Sequence, residues 1–288
     1  MDRKIEVRLP YAQQRFEIFK RHAQNKQIDP DGINFKSVIH ATAGCSGADI
    51  ERIMNEAAIR VGRQMRNYIT TKDVEWAMEH VVLGSKASLK MKKEELELTA
   101  HHEAGHVIAT MKTPNSDPIF KATIVPTTKA LGMVIQLPDD ESFSYSKAQA
   151  EDKVCVLMAG RIGEIMHVGE GKVTAGASND FEVATDIAYK YVGQWGMDEV
   201  IGCRKVDRDF SRVSPETLAT MDTRVGVLLN AQRQRCEKIL SENIDAKNKV
   251  AAALLELETL SLSDIEKIVG GEYPESKKDS GEYLYKKT

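Results

Sequence analysis

The pentad His102-Glu103-Ala104-Gly105-His106 lies in a stretch of sequence that has the composition of a helix. From Met91 to Met111 the chain contains no proline and one glycine, and Pro114 follows as a stop signal. Because an α-helix has about 3.6 residues per turn, side chains four positions apart lie one above the other. Both imidazoles can therefore bind one metal ion, and Glu103 lies near the same face, where it can accept a proton from a water molecule. The pentad predicts a catalytic zinc site on a helix.

A catalytic zinc ion usually takes three protein ligands and leaves one position for water, so a third ligand must come from elsewhere. The metzincin pattern is excluded, because Ala109 and Lys112 occupy the positions where it has Gly and His. A thermolysin-like glutamate is excluded as well, because the strand-like sequence from Asp117 to Leu137 contains no glutamate. The remaining candidates are three acidic residues and one histidine: Glu164, Asp180, Asp186 and His167.

Asp180 is the strongest of these candidates because of its local sequence. It ends Ala175-Gly176-Ala177-Ser178-Asn179-Asp180, a turn that enters a helix and could hold a carboxylate rigidly toward a neighbouring helix. The alternative interpretation is an ordinary acidic residue at a helix N-terminus, where the helix dipole favours negative charge. Spacing leaves both interpretations open.

The composition of the chain excludes several classes of protein. Lys and Arg number 40 and Asp and Glu 43, a formal charge of −3, so we do not expect nucleic acid as the main partner. The four cysteines include no C-x-x-C pair, which argues against a cysteine zinc knot or a disulfide scaffold and favours a reducing compartment such as the cytoplasm. No apolar leader and no apolar run of about 18 residues is present, so we expect a soluble chain as written.

The 288 residues suggest about two domains, and the fold class is mainly α. Residues 1–83 are predicted to form a small helical domain, in which Ser46 caps a helix and Asp49 completes a capping box. A lysine-rich linker, 84–95, follows. The predicted helices of this domain are Tyr11 to Gln24, Phe35 to Ala43, Gly47 to about Arg66, and a fourth capped by Thr71 that ends near Val82.

Residues 96–271 are predicted to form a second, mostly helical domain with a small sheet or hairpin. The strands are Lys121–Pro126 and Leu131–Leu137, two runs with the composition of β-strands. The pentad helix is followed by five further predicted helices. They run from Ser146 to Met166, from Ser178 to about Gly193, from Ser214-Pro215 onward, through Ala251 to Leu257, and from Ser263 onward. The charged tail, 272–288, is predicted to be disordered.

Several further motifs accompany the pentad in a fixed order. They are Ala130-Leu131-Gly132, Ser144-Tyr145-Ser146-Lys147, Ala159-Gly160-Arg161-Ile162, Thr174-Ala175-Gly176-Ala177-Ser178-Asn179-Asp180 and Gln194-Trp195-Gly196-Met197. In this order and approximate spacing the sequence resembles the FtsH-like AAA metalloproteases from about residue 1 to 270. The resemblance implies that His102, His106 and Asp180 bind Zn²⁺.

The resemblance also extends to the first domain. Arg8-Leu9-Pro10 and Gly44-Cys45-Ser46-Gly47-Ala48-Asp49 look like the AAA lid of that family, in which Gly47 and Ala48 would lie near bound nucleotide. The sequence contains no P-loop, because Gly169-Glu170-Gly171-Lys172-Val173 lacks the earlier glycine and the Ser or Thr that binds magnesium. ATP is therefore expected only if an ATPase core is supplied. The family forms membrane-anchored hexamers, so the resemblance implies a homo-oligomer, and an organelle membrane if this chain is a fragment.

Two positions depart from the family pattern. Ala159-Gly160-Arg161 replaces the usual Gly-Gly-Arg, and Gly163-Glu164-Ile165 replaces Ala-Glu-Glu. A glycine in place of alanine within a helix costs about 1 kcal/mol of stability. Glu164 keeps the first acidic residue, so we expect it to support a metal ligand from outside the coordination shell.

The leading hypothesis is a zinc-dependent endopeptidase that hydrolyses unfolded or flexible polypeptides and is coupled to an AAA ATPase in its parent form. Glu103 would be the catalytic base, and the substrate would add as a strand beside Leu131, Gly132, Met133 and Val134. An ordinary core strand is the alternative interpretation of that segment. The competing function is a non-catalytic interaction or assembly module built from the lid and the C-terminal helices.

Overall fold

The computed structural model describes residues 9–29, 32–34, 38–39, 42, 44–82, 84, 91–128, 130–136, 144–206 and 213–270. The predicted tail, 272–288, and most of the predicted second helix, Phe35 to Ala43, lie outside this part of the chain. The described residues are mainly helical and include one small sheet, so the predicted fold class is confirmed. In this part of the chain no helix is both long and apolar enough to span a bilayer.

The chain folds into two compact units. The first comprises residues 1–89 together with 126–131 and 137–143, and the second comprises residues 90–125, 132–136 and 144–288. The predicted lid-like range falls in the first unit, and the pentad falls in the second.

The first unit contains three described helices, α1 (Ala12–Ala23), α2 (Gly47–Arg63) and α3 (Thr71–Val82). The start of α2 is as predicted: Ser46 Oγ accepts from the Asp49 N–H at 3.2 Å, and the Asp49 carboxylate accepts from the Ser46 N–H at 2.9 Å. At α3 the capping residue is Thr70 rather than Thr71, because the Asp73 carboxylate accepts from the N–H of Thr70 at 3.0 Å. Buried apolar side chains of the three helices form the core.

Among its described residues the second unit contains six α-helices: α4 (Lys93–Lys112), α5 (Lys147–Val168), α6 (Ser178–Gly193), α7 (Pro215–Glu242), α8 (Ile244–Leu257) and α9 (Leu262–Gly270). Ser146 and Ser214 cap α5 and α7 as predicted. Helix α4 begins at Lys93, inside the range assigned to the linker, and has Glu94 and Glu95 in its first turn, where the helix dipole favours acidic residues. It is the central helix, since α5, α7, α8 and the sheet all pack against it.

The sheet has three antiparallel strands in the order β2-β1-β3: β1 is Ile119–Thr123, β2 is Met133–Gln136 and β3 is Thr259–Ser261. The β1–β2 pair is the predicted hairpin, with Ala122 opposite Val134. Strand β3 was not predicted, because three residues between two helices carry too little alternation to be recognised. Within the described part of the chain, one edge of the sheet is thus β2 and the other is β3.

Helices α4 and α5 cross at very close range, and two glycines make this possible. A Cβ atom on Gly105 would overlap the backbone carbonyl of Ala159, and one on Gly163 would overlap the carbonyl of His101. The departure from the family pattern at Gly163 therefore has a steric reason in this chain. The absent Cβ atoms bring α5 close to the two histidines of the pentad.

Candidate metal centre

The two pentad histidines and Asp180 converge on one point in the second unit. The Nε2 atoms of His102 and His106 lie 3.1 Å apart. Asp180 Oδ2 lies 3.3 Å from the His102 Nε2 and 3.4 Å from the His106 Nε2. Asp180 reaches this position from the first turn of α6, which begins at Ser178 directly after a 3₁₀ turn, Ala175–Ala177.

These distances match what a divalent zinc ion needs. Ligand atoms about 2.0–2.1 Å from a tetrahedral centre lie about 3.3–3.4 Å from one another. Among the residues that the structure describes, His102, His106 and Asp180 form the one group of three or more potential ligands close enough to share an ion. The donor set, two imidazoles and one carboxylate, is also one that catalytic zinc sites use.

The outward-facing nitrogens of both rings are held by hydrogen bonds. His102 Nδ1 lies 2.7 Å from Glu164 Oε1, and His106 Nδ1 donates to the Val156 carbonyl at 2.9 Å. Donation from Nδ1 leaves the Nε2 lone pair free, and metal-binding histidines are normally oriented in this way. Glu164 also accepts from the Thr174 N–H at 3.2 Å, which ties the turn before Asp180 to the same carboxylate.

The electrostatics of the cluster favour a cation at its centre. Burial lowers the pKa of His102, but hydrogen bonds with Asp180 and Glu164 outweigh burial and raise that pKa to about 10. Burial raises the pKa of Asp180, yet hydrogen bonds with His102 and His106 bring it well below its ordinary value. The carboxylates of Asp180 and Glu164 thus stabilise positive charge at this point, which is what a divalent cation would supply.

Glu103 lies beside this cluster and is buried, with 5% of its surface exposed. Burial raises its pKa, and the neighbouring imidazoles of His102 and His106 offset part of that rise. Gly132, the residue before β2, passes so close that an added Cβ atom would lie 2.7 Å from Glu103 Oε1. A carboxylate whose pKa is raised is a stronger base than an ordinary one, which suits a proton acceptor.

Gly160 is a site residue that the sequence analysis did not single out. A Cβ atom there would overlap the His102 ring and lie 2.6 Å from His106 Nε2. The position must therefore be a glycine for both rings to keep their places. The motif Ala159-Gly160-Arg161 contained the signal, because it keeps the second of two glycines that the resemblance expects.

The other sequence candidates lie elsewhere. Asp186 is exposed on α6 outside the cluster, and the His167 ring stacks on His101 with ring centroids 3.7 Å apart. Of the predicted substrate segment, Met133 and Val134 are in β2 and Leu131 is an exposed residue before it. Gly47 and Ala48 form the first turn of α2 in the first unit, and their proximity to nucleotide stays a prediction.

Lys247 of α8 was also missed by the sequence analysis. Its side chain is fully buried, and Nζ lies 3.1 Å from His101 Nδ1 and 3.4 Å from the Gly163 carbonyl oxygen. Burial lowers its pKa to about 8. His101 and Gly163 immediately precede His102 and Glu164 in the chain. Lys247 therefore connects α8 to α4, which carries His102, and to α5, which carries Glu164.

The fold and the cluster define a class: a helical metallopeptidase unit that accompanies a lid-type helical unit. Residues 89–268 match the model of peptidase family M41, and residues 32–76 match that of the AAA+ lid domain. The chain belongs to peptidase family M41.

Curated relatives agree with this assignment. An ATP-dependent zinc metalloprotease FtsH of Caulobacter vibrioides is 35% identical over 96% of this chain and 46% of its own length. Proteins of the same description from Neorickettsia risticii and a Thermoanaerobacter species are 34% and 35% identical, each over 94% of this chain. The chain spans less than half the length of these relatives, 43% to 46%.

Proposed function

We propose that this chain is a zinc-dependent endopeptidase that cleaves unfolded or flexible polypeptides. The observation that carries the proposal is the convergence of His102 Nε2, His106 Nε2 and Asp180 Oδ2, all within 3.4 Å of one another, beside the buried Glu103. The relatives named above are described as zinc metalloproteases, which supports the same metal and the same reaction.

In this proposal His102, His106 and Asp180 would hold the zinc ion. Bound zinc polarises the scissile carbonyl and lowers the pKa of a water molecule toward neutrality. Glu103 accepts the proton of the attacking water and passes it to the leaving amine. Glu164 and the Val156 carbonyl fix the two rings by their Nδ1 atoms, so that the Nε2 atoms keep their direction throughout the reaction.

We further propose that substrate adds as a strand to β2. Within the described part of the chain β2 pairs with β1 on one side, and its start, next to Gly132, lies beside Glu103. Pairing through the backbone makes little demand on side-chain identity, which suits a protease for unfolded chains. The edge position of β2 supports this interpretation over that of an interior core strand.

Coupling to ATP hydrolysis and assembly into a ring of six also belong to the proposal. The relatives are described as ATP-dependent, and the lid-type unit is the part of an ATPase that this sequence includes. A ring is expected through the protease unit, and sedimentation that detects only monomer would remove that expectation. The alternative of a non-catalytic assembly module is not favoured. Such a module would not need Glu103, both histidines and Asp180 together.

The experiment that tests the proposal compares casein cleavage by the wild type and by Glu103→Gln, with the zinc content of both proteins measured. The proposal predicts equal zinc content and a loss of at least about a hundredfold in cleavage rate, because general-base catalysis contributes roughly that much or more. Equal cleavage by the two proteins, with zinc bound to both, would refute the assigned role of Glu103.

A further inference from the structure

Lys153 of α5 lies at one end of the strand to which we propose that substrate adds. Its Nζ donates to Gln136 Oε1 at 2.8 Å, and Gln136 is the last residue of β2. Gln136 Nε2 in turn donates to Thr110 Oγ1 of α4 at 3.0 Å. Three elements, α5, β2 and α4, therefore meet at this point, one turn beyond His106 along α4.

Helices α4 and α5 link the metal cluster to Lys153, because α4 carries both ligand histidines and α5 carries Lys153. Strand β3 packs against α8 and α9, so β2 is the edge farthest from those helices. Helix α4 lies beneath β1 and β2, and α5 packs along α4. Gly160 of α5 lies against the two ligand histidines, so the helix that carries Lys153 also borders the metal cluster.

The ammonium group of Lys153 is only partly compensated in this position. Its side chain is partly buried, and its hydrogen-bond partner, the Gln136 amide oxygen, is neutral. No described ion pair brings a carboxylate within 4.0 Å of it. Burial lowers the pKa of Lys153, and the more distant carboxylates of Asp117 and Asp180 offset part of that effect. A substrate carboxylate would supply the missing counter-charge.

The distance from the metal cluster sets where that carboxylate would lie on the substrate. Lys153 precedes Gly160 by two turns of helix, about 10 Å at 1.5 Å per residue. An extended chain advances about 3.3 Å per residue, so about three residues of substrate cover this distance. The flexible lysine side chain reaches part of the way itself.

We propose that Lys153 is a specificity-determining residue that favours substrates with an Asp or Glu side chain within about three residues of the scissile bond. This inference rests on the proposed peptidase function. It assigns Lys153 a direct contact with substrate, whereas a lysine that only braces α5 against β2 would affect all substrates alike.

The test uses fluorogenic peptides that differ at one position, in which a single Asp is moved through the three residues on either side of the cleaved bond and compared with Asn. For the wild type we expect kcat/KM to be roughly tenfold higher for Asp than for Asn at one or two of these positions, mainly through KM, because a hydrogen bond between charged groups contributes about that much. Lys153→Gln should reduce this ratio to near one. Lys153→Arg, which keeps the charge, should retain most of it.

Lys190→Gln is the matched control, because Lys190 is exposed on α6 and its removal changes the net charge by the same amount. It should leave the Asp-to-Asn ratio as in the wild type. A ratio near one in the wild type, or a ratio that Lys153→Gln leaves unchanged while both peptides are cleaved more slowly, would overturn the inference and leave the peptidase proposal intact. Failure of the wild type to cleave any peptide, with zinc bound, would instead overturn the peptidase proposal and this inference with it.

A binding measurement separates recognition from turnover. In a Glu103→Gln background, fluorescence anisotropy should give a roughly tenfold lower Kd for the best Asp peptide than for its Asn partner. Adding Lys153→Gln should remove that difference. If that double variant fails to fold, the Asp-to-Asn ratio of the wild type can be measured between 50 and 500 mM salt instead. The ratio should fall as salt rises, because salt screens the Lys153 charge. A ratio that does not change with salt would contradict an electrostatic origin of the preference.

Discussion

At the scale of single residues, the centre depends on side chains that orient the candidate ligands. Glu164 contacts His102 Nδ1 and the Thr174 N–H, so one carboxylate orients a ring and the turn that leads to Asp180. His106 is oriented by a backbone carbonyl instead, that of Val156. Substitution can therefore remove the support of one histidine and leave that of the other.

Glu164→Ala should weaken zinc binding by about 10- to 100-fold, the usual effect of removing a hydrogen-bond partner of a metal-binding histidine. Competition with a chelating dye would measure the zinc Kd. Glu266→Ala, which removes an exposed carboxylate from α9, is the control and should bind zinc as the wild type does. An unchanged Kd in Glu164→Ala would show that Glu164 does not orient His102.

Sequence alone predicted the residues whose chemistry is local or forms a motif. The pentad follows from helical spacing, and Asp180 and Glu164 were chosen from their neighbours and from the family resemblance. Gly160 belonged to a motif, but its contact with both rings, like the importance of Lys153, depends on which atoms the fold brings within 3 Å. A glycine or a lysine in a helix carries no such information by itself.

At the scale of elements, the crossing of α4 and α5 positions the cluster. Gly163 has no room for a Cβ atom, because the His101 carbonyl occupies that space. Most helix starts were predicted from their capping residues, and the hairpin was predicted from its two runs of strand-like sequence. Strand β3 has too few residues for a local pattern, whereas the start of α4 at Lys93 has a local signal, the acidic residues Glu94 and Glu95, which the linker assignment passed over.

Gly163→Ala should therefore destabilise the protein, despite the better helix propensity of alanine, by about 1–3 kcal/mol, the usual cost of overpacking. Gly226→Ala is the matched control within helix α7, since an added Cβ meets no atom within 4 Å there. That control should be neutral or stabilising by up to about 1 kcal/mol. Urea denaturation of both variants decides the matter, and stabilisation by Gly163→Ala would contradict the close crossing.

Lys247 of α8, which contacts the crossing of α4 and α5, should make the free energy of unfolding depend on pH. Its pKa is about 8 in the folded protein, below the ordinary value of 10.5, so between these two values the unfolded chain binds more protons than the folded one. The free energy of unfolding contributed by Lys247 therefore rises with pH from about 8 to about 10.5. Lys247→Met should lack this rise. Urea denaturation at pH 7.5, 9 and 10 measures the free energy of unfolding of both proteins. The wild type should gain stability relative to Lys247→Met as the pH rises. A difference that stays constant over this range would contradict the lowered pKa.

At the scale of the whole molecule, the 288 residues include a lid-type unit and a peptidase unit but no P-loop. We therefore expect these residues by themselves to act on polypeptides that are already unfolded. The proposed addition of substrate to β2 fits this expectation, because strand addition needs only an extended backbone.

The 288-residue chain should therefore cleave a disulfide-bonded protein only after that protein has been reduced and carboxymethylated. Addition of ATP and magnesium should not change either rate. Gel analysis of the native and the carboxymethylated forms, with Glu103→Gln as the blank, measures this directly. ATP-stimulated cleavage of the native form would show that these residues supply more of the ATPase than we propose.

The account depends most on one zinc ion shared by His102, His106 and Asp180. X-ray absorption spectroscopy at the zinc edge of the loaded protein tests this most directly, with Asp180→Asn and the exposed-site variant Asp186→Asn for comparison. We predict that two imidazole nitrogens and two oxygen atoms lie about 2.0–2.1 Å from the zinc ion. Asp180→Asn should alter this zinc spectrum, and Asp186→Asn should leave it unchanged. A wild-type spectrum with sulfur ligands or one imidazole, or one that Asp180→Asn leaves unchanged, would contradict the account.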